Sequence, residues 1–248
     1  MIIISFDCAI KNLGICCIDY DEKWQDKLTN IYNELINLYE ELDKIDIINK
    51  DNMVNNIKNI VLKLDYVLNN IIKIIWCNVI DLIPDKKVYN NPIEQSKKLK
   101  YILNNLDEQL PLPDLVLIEH QMKINDITRT MSNQIIYHYM DPGNNDISFG
   151  IKEYSFNLKN NLTNKLSPDK IKLVGPALKN TIKLYKQGGY ENFIVKYANN
   201  YTANKNHCDN NFKQFIRLFY PLLKLPKKTN DIADAFMMAF AYIFTYLV

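Results

Sequence analysis

Glycine is scarce in this chain, six residues in 248, and proline contributes only nine. That scarcity excludes collagen-like and linker-rich architectures and argues against a glycine-rich loop wrapped around the phosphates of a nucleotide cofactor. Cysteine is also sparse. Cys8, Cys16, Cys17, Cys77 and Cys208 are odd in number, lack Cys-x-x-Cys spacing and show no pairing rhythm, so they read as free thiols in a reducing compartment. No apolar run reaches the roughly 20 residues that a membrane helix needs. The longest, Ala235 to Val248, follows Asp231 and Asp234 and reads as a buried helix, and the opening MIII meets Asp7 before a secretory core could form. No segment recurs at a fixed period. With 48% hydrophobic and 23% charged residues, the chain has the composition of one globular domain over residues 1–248, with no membrane association expected.

The formal net charge of +2 is unevenly spread. Residues 1–110 carry 13 lysines against 17 acids, a net of −4, whereas residues 111–248 carry 17 basic side chains against 11 acids, a net of +6. Within residues 159–228 the ratio is 14 to 3, the footprint either of a polyanion-binding face or of a solvated lysine-rich surface. Lys179, Lys183, Lys186, Lys196, Lys227 and Lys228 are its candidate polyanion contacts. Tyr185, Tyr190, Phe193, Tyr197, Tyr201, Phe212, Phe215, Phe219 and Tyr220 are interleaved with these cations and serve either to stack on unpaired bases or to fill a core.

The apolar pattern changes period along the chain. Ile2 to Phe6 and Leu13 to Asp19 predict a β-hairpin with Asp7 at the end of its first strand. Residues 22–70 carry helical periodicity (Ile31, Leu35, Leu38, Leu42; then Val54, Ile57, Ile60, Val61, Leu64, Val67) and predict a helical insertion of two helices. A strand is expected over Ile71 to Ile83 and a helix entered at Asn91-Pro92 and running to Leu110. Leu115 to Ile118 is a continuous apolar run suited to a strand buried on both faces, and it ends in Glu119. A helix follows from Asn125-Asp126 to about Met140, then a weak strand over 147–156, a strand over 171–174 ended by Gly175-Pro176, and helical stretches over 178–185 and 192–199. The final helix starts at Thr229 or Asn230, both good N-caps.

Four acids stand at the ends of apolar elements: Asp7, Glu119, Asp231 and Asp234. Asp231 and Asp234 are spaced i, i+3 and share a helix face continued by Met237, Met238 and Ala241. Alone, that pair is accounted for by complementation of the helix dipole. As a set, four carboxylates from remote segments demand cations, because mutual repulsion would otherwise raise their pKa values and destabilise the fold. Hard oxygens without His or Cys partners suit Mg²⁺ or Mn²⁺, and two such ions about 4 Å apart are the arrangement that hydrolyses phosphodiesters. His138, beside Ile135, Ile136 and Tyr139, reads as an interior or boundary residue, and His207 with Cys208 is too small a set for zinc.

The segments FDCAIKNLGICCID, LVLIEHQ, GPALKN and KKTNDIADAFMMAFAYI resemble, in order and spacing, the motifs of RuvC-like Holliday junction resolvases of the ribonuclease H superfamily, in particular the poxvirus and mitochondrial branch. The likeness spans the chain apart from 22–70 and 140–168. It implies an α/β fold, a ribonuclease H-like mixed five-stranded sheet flanked by helices, and a magnesium-dependent endonuclease acting on four-way junctions. It implies that Asp7, Glu119, Asp231 and Asp234 bind two Mg²⁺ ions, that Lys179 lies close to the scissile phosphate, that Lys196 corresponds to a second lysine, and that Gln121 sits beside the metal site or the DNA. His120 alternates away from Glu119, which assigns it a structural or DNA-side role. Paired nicks of matching symmetry call for a homodimer. By analogy the pathway is resolution of recombination or replication intermediates, as at viral replication sites in a host cytoplasm. The alternatives are a ribonuclease H acting on RNA–DNA hybrids or flaps, and a non-catalytic junction-binding protein, which would not need the full quartet. An actin-like ATPase or sugar kinase would need glycine-rich loops that six glycines do not furnish.

Overall fold

Alternating strands rich in Ile, Leu, Val and Cys form the centre of the molecule. The computed structural model describes residues 1–9, 11–42, 50–83, 91–120, 126–140, 165–180, 201–226 and 228–247. Among them are five strands: β1 (Ile2–Cys8), β2 (Asn12–Tyr20), β3 (Ile72–Asp81), β4 (Leu115–Glu119) and β5 (Ile171–Val174). They make one sheet in the order β3-β2-β1-β4-β5, antiparallel among the first three and parallel from β1 through β4 to β5. This is the mixed five-stranded sheet expected. Its helices are α1 (Gln25–Leu42), α2 (Lys50–Ile71), α3 (Pro92–Gln109), α4 (Asp126–Tyr139), α5 (Tyr201–Phe219) and α6 (Asn230–Tyr242), the last followed by a π turn over Ile243–Leu247.

The period-two alternation of the strands splits the core in two. Ile3, Cys16, Ile18, Leu115, Leu117 and Val174 face a layer that includes residues of α1, α2, α5 and α6. Ile4, Phe6, Leu13, Ile15, Val116 and Ile118 face α3 and α4. The helices between β2 and β3 are the hairpin read from residues 22–70. Their apolar stripes (Leu28, Ile31 and Leu35; Ile57, Ile60, Leu64, Val67 and Ile71) belong to the same buried cluster as Phe236 and Phe240 of α6. α3 begins at Pro92 itself. The Asn91 side chain accepts from the Ile93 and Glu94 N–H groups, and proline at the first helical position sacrifices no hydrogen bond.

The weak strand over 147–156 and the helix over 192–199 lie outside the described residues. α5 had no clear signature in sequence. Its first half is rich in poor helix formers (Asn204, Asn206, Asn210, Asn211), and an apolar repeat (Phe212, Phe215, Ile216, Phe219) emerges only in its last turns. The aromatics from Phe212 to Tyr220 are core. Phe212 and Phe215 are buried, Phe215 lies against Phe236 with ring centroids 4.9 Å apart, and Phe219 and Tyr220 pack against the same cluster. The Tyr220 hydroxyl also accepts from the Ile74 N–H at 2.7 Å, where the β2–β3 register shifts. Tyr185, Tyr190, Phe193 and Tyr197 lie outside the described residues. Among those described, no helix is long and apolar enough to cross a membrane, and all five cysteines are free thiols.

Candidate active site

Strand parity places the first two acids. Asp7 has the parity of Ile3, and Glu119 that of Leu115 and Leu117, so both side chains emerge on the α6 face of the sheet. Phe6 pairs with Ile118 in the parallel ladder, and the next residues, Asp7 and Glu119, therefore leave it side by side at the C-terminal ends of the two central strands. This is where open α/β sheets bind ligands. His120 continues past Glu119 with its N–H donated to Val174 O at 2.8 Å and its side chain exposed.

The third acid comes from α6 and the cation from the turn after β5. Gly175 and Pro176 end that strand, and a 3₁₀ turn (Leu178–Asn180), closed by Leu178 N–H to Gly175 O at 3.0 Å and anchored by buried Leu178, delivers Lys179. Its Nζ lies 3.0 Å from Glu119 Oε1, 3.0 Å from Asp234 Oδ2 and 3.6 Å from Asp7 Oδ1. The Lys179 side chain is 13% exposed, and those of Asp7, Glu119 and Asp234 are 9, 13 and 6% exposed. Burial pushes the Asp7 carboxyl well above the usual carboxylate range, reinforced by its hydrogen bond with Glu119 and opposed by the Lys179 ammonium. Burial works against the ammonium, yet Asp7, Asp234 and Glu119 together hold the Lys179 pKa above its ordinary value.

Asp231 stands beside this cluster, held by other partners. It is 5% exposed, and its Oδ2 accepts from Asn12 Nδ2 at 2.9 Å and lies 3.5 Å from Lys228 Nζ. One helical turn separates it from Asp234, but i, i+3 side chains are offset around the axis, and here one reaches the β4–β5 side and the other β2.

The start of α6 is held in ways that sequence reasoning missed. Thr229 is the N-cap, as expected, but its hydroxyl makes no capping bond and instead donates to Asp209 Oδ1 of α5. Lys213 Nζ holds the other Asp209 oxygen at 2.5 Å. The adjacent Cys208 Sγ donates toward Asn180 Oδ1 at 3.3 Å and Lys179 O at 3.6 Å, so consecutive residues of α5 brace both the lysine turn and the acidic helix. From the sheet, Ser5 Oγ lies 2.8 Å from Ala235 O and 3.2 Å from Cys16 O. Gly14, opposite Asp7 in the hairpin, lets α6 approach: a Cβ there would come 2.0 Å from Asp231 O. Alternation alone would have put Asn12, Gly14 and Cys16 on the face that bears Asp7.

Gln121, Lys183, Lys186, Lys196 and Lys227 lie outside the described residues. Lys228 is 65% exposed, and His138 Nε2 sits 2.9 Å from Asp107 Oδ2 in the opposite layer.

The chain is similar to two Holliday junction resolvases. The fowlpox virus resolvase in complex with its substrate Holliday junction DNA aligns over 100% of both chains at 17% identity with a TM-score of 0.47. Thermus thermophilus RuvC in complex with a Holliday junction substrate aligns over 98% of this chain and 94% of its own at 10% identity with a TM-score of 0.45. No protein-family model and no curated protein matches the chain.

Among the described residues, no three His, Cys, Asp or Glu side chains stand in an arrangement that would hold a metal ion, and the ammonium of Lys179 occupies the space among Asp7, Glu119 and Asp234 instead. The donor set nevertheless fits a hard divalent cation. It consists of carboxylate oxygens with no imidazole or thiolate among them, and burial already makes a shared cation necessary.

Proposed function

We propose that this protein is a metal-dependent endonuclease that resolves four-way DNA junctions by paired phosphodiester hydrolysis. The observation that carries the reading is the convergence of Asp7, Glu119 and Asp234 on Lys179 at the C-terminal ends of β1 and β4, with Asp231 alongside. Asp7, Glu119, Asp231 and Asp234 would hold the metal, two Mg²⁺ ions with Mn²⁺ able to replace them. The chemistry such ions supply is activation of a water nucleophile and stabilisation of the leaving oxygen. Lys179, once its carboxylate partners are neutralised by another cation, is placed to stabilise the negative charge that develops on a phosphate. Lys228, exposed beside Asp231, is positioned for a backbone phosphate. Gln121, Lys183, Lys186, Lys196 and Lys227 complete the proposed DNA contacts.

A junction has two strands to cut in matching positions, and a two-fold homodimer with one such site per subunit meets that symmetry. Free, mostly buried cysteines favour a reducing compartment. The test is cleavage of a labelled four-way junction, a matched linear duplex and an RNA–DNA hybrid in Mg²⁺, with Asp7→Asn and Asp231→Asn variants alongside. Paired nicks in the junction alone, abolished in both variants while junction binding survives, are the expected result. Preferential cutting of the hybrid would make the protein a ribonuclease H. Tight junction binding without cleavage would make it a junction-binding protein.

A further inference from the structure

The four acids are not held alike. Asp7, Glu119 and Asp234 share the ammonium of Lys179, a cation that a divalent ion would have to replace. Asp231 is held instead by a neutral amide on a central strand: Asn12 Nδ2 donates to Asp231 Oδ2 at 2.9 Å across 219 residues of chain. The other described polar contact of that carboxylate, Lys228, falls on the same oxygen, is longer at 3.5 Å, and comes from a side chain 65% exposed. Both therefore pin Oδ2, and among the described residues no polar contact falls on Oδ1. A neutral donor need not leave when an ion arrives, whereas a lysine must.

Backbone geometry supports this division. Asn12 and Gly14 share one face of β2, and Gly14 has no side chain where the backbone of Asp231 crosses it. The bare glycine sets the distance between strand and helix, and the asparagine two residues earlier sets the direction of the carboxylate. The Ser5 contact with Ala235 O one turn along α6 keeps the helix in register above that strand pair. We infer that Asn12 is a positioning residue for metal binding, orienting Asp231 through Oδ2 so that Oδ1 is presented to the ion. This rests on the reading of Asp231 as a metal ligand. Groups that orient metal ligands typically change metal affinity by about 10- to 100-fold when removed.

The experiment titrates the purified protein with Mn²⁺, following the free ion by electron paramagnetic resonance, for the parent protein and for Asn12→Ala, Asn12→Leu and Asp231→Asn. Leucine has the same branched heavy-atom skeleton as asparagine and no donor. Both Asn12 variants are expected to bind Mn²⁺ roughly 10-fold more weakly, with junction binding in EDTA unchanged. Parent-like Mn²⁺ affinity in both Asn12 variants, or recovery in Asn12→Leu alone, would overturn the inference, the second outcome assigning Asn12 a space-filling role. If Asp231→Asn weakens Mn²⁺ binding while the Asn12 variants do not, only the positioning role falls. If Asp231→Asn binds Mn²⁺ like the parent, the ligand reading of Asp231 falls, and with it the role of Asn12.

Discussion

Replacing Lys179 with methionine tests the electrostatics of the site directly. Methionine approximates the length of the lysine stem but removes the cation that three carboxylates share, and the four side chains are only 6 to 13% exposed. Deleting one partner of a buried ion pair costs about 3–5 kcal/mol. Asp7, whose carboxyl is already raised well above the usual range, can relieve part of the repulsion by taking up a proton, which points to the lower end, about 3 kcal/mol. For a chain of this size each kcal/mol moves the midpoint by about 2–4 °C, so Lys179→Met should melt roughly 6–12 °C below the parent in EDTA. Saturating Mg²⁺ should narrow the gap, because an ion among the carboxylates replaces the missing charge and stabilises in proportion to its binding. Thermal unfolding followed by circular dichroism in EDTA and in Mg²⁺ reads both effects. Equal midpoints in EDTA, or a Mg²⁺ shift of the same size in both proteins, would refute the idea that Lys179 neutralises the cluster.

Two further outcomes follow from the packing and the thiols. Gly14→Ala places a methyl 2.0 Å from Asp231 O and 2.6 Å from its carbonyl carbon, so α6 must move; a loss of about 1–3 kcal/mol in urea unfolding is expected, together with impaired cleavage. Full parent activity and stability would show that the helix has slack at this crossing. Burial raises Cys8 and Cys17 to about 12 and Cys77 to about 11. The folded state therefore holds protons that the unfolded chain releases near pH 9. Stability should be full below about pH 9 and fall as pH rises toward 12. Denaturant midpoints that stay level from pH 8 to about 11 would contradict this.

Local pattern alone was enough to locate both strands of the hairpin, the apolar run ending in Glu119, the helix opening with Asp231 and Asp234, and the basic bias of the second half. Each is a property of a short window: alternation decides which face a strand residue takes, and an acid at the end of a buried run has few positions open to it. The same parity would have placed Asn12 and Gly14 beside Asp7. Their roles were hidden because a half-buried asparagine and a strand glycine carry no signal until the element crossing them is known. Asp209 bracing Thr229, Cys208 under the lysine turn and Ser5 against Ala235 are likewise contacts between distant segments, set by helix crossing and sheet twist. Tertiary structure also decided that Asp234 faces Lys179 while Asp231 faces Asn12. Two acids one turn apart are equivalent in a pattern, and they become different only when β2 and the turn after β5 close on opposite sides of the helix that carries them.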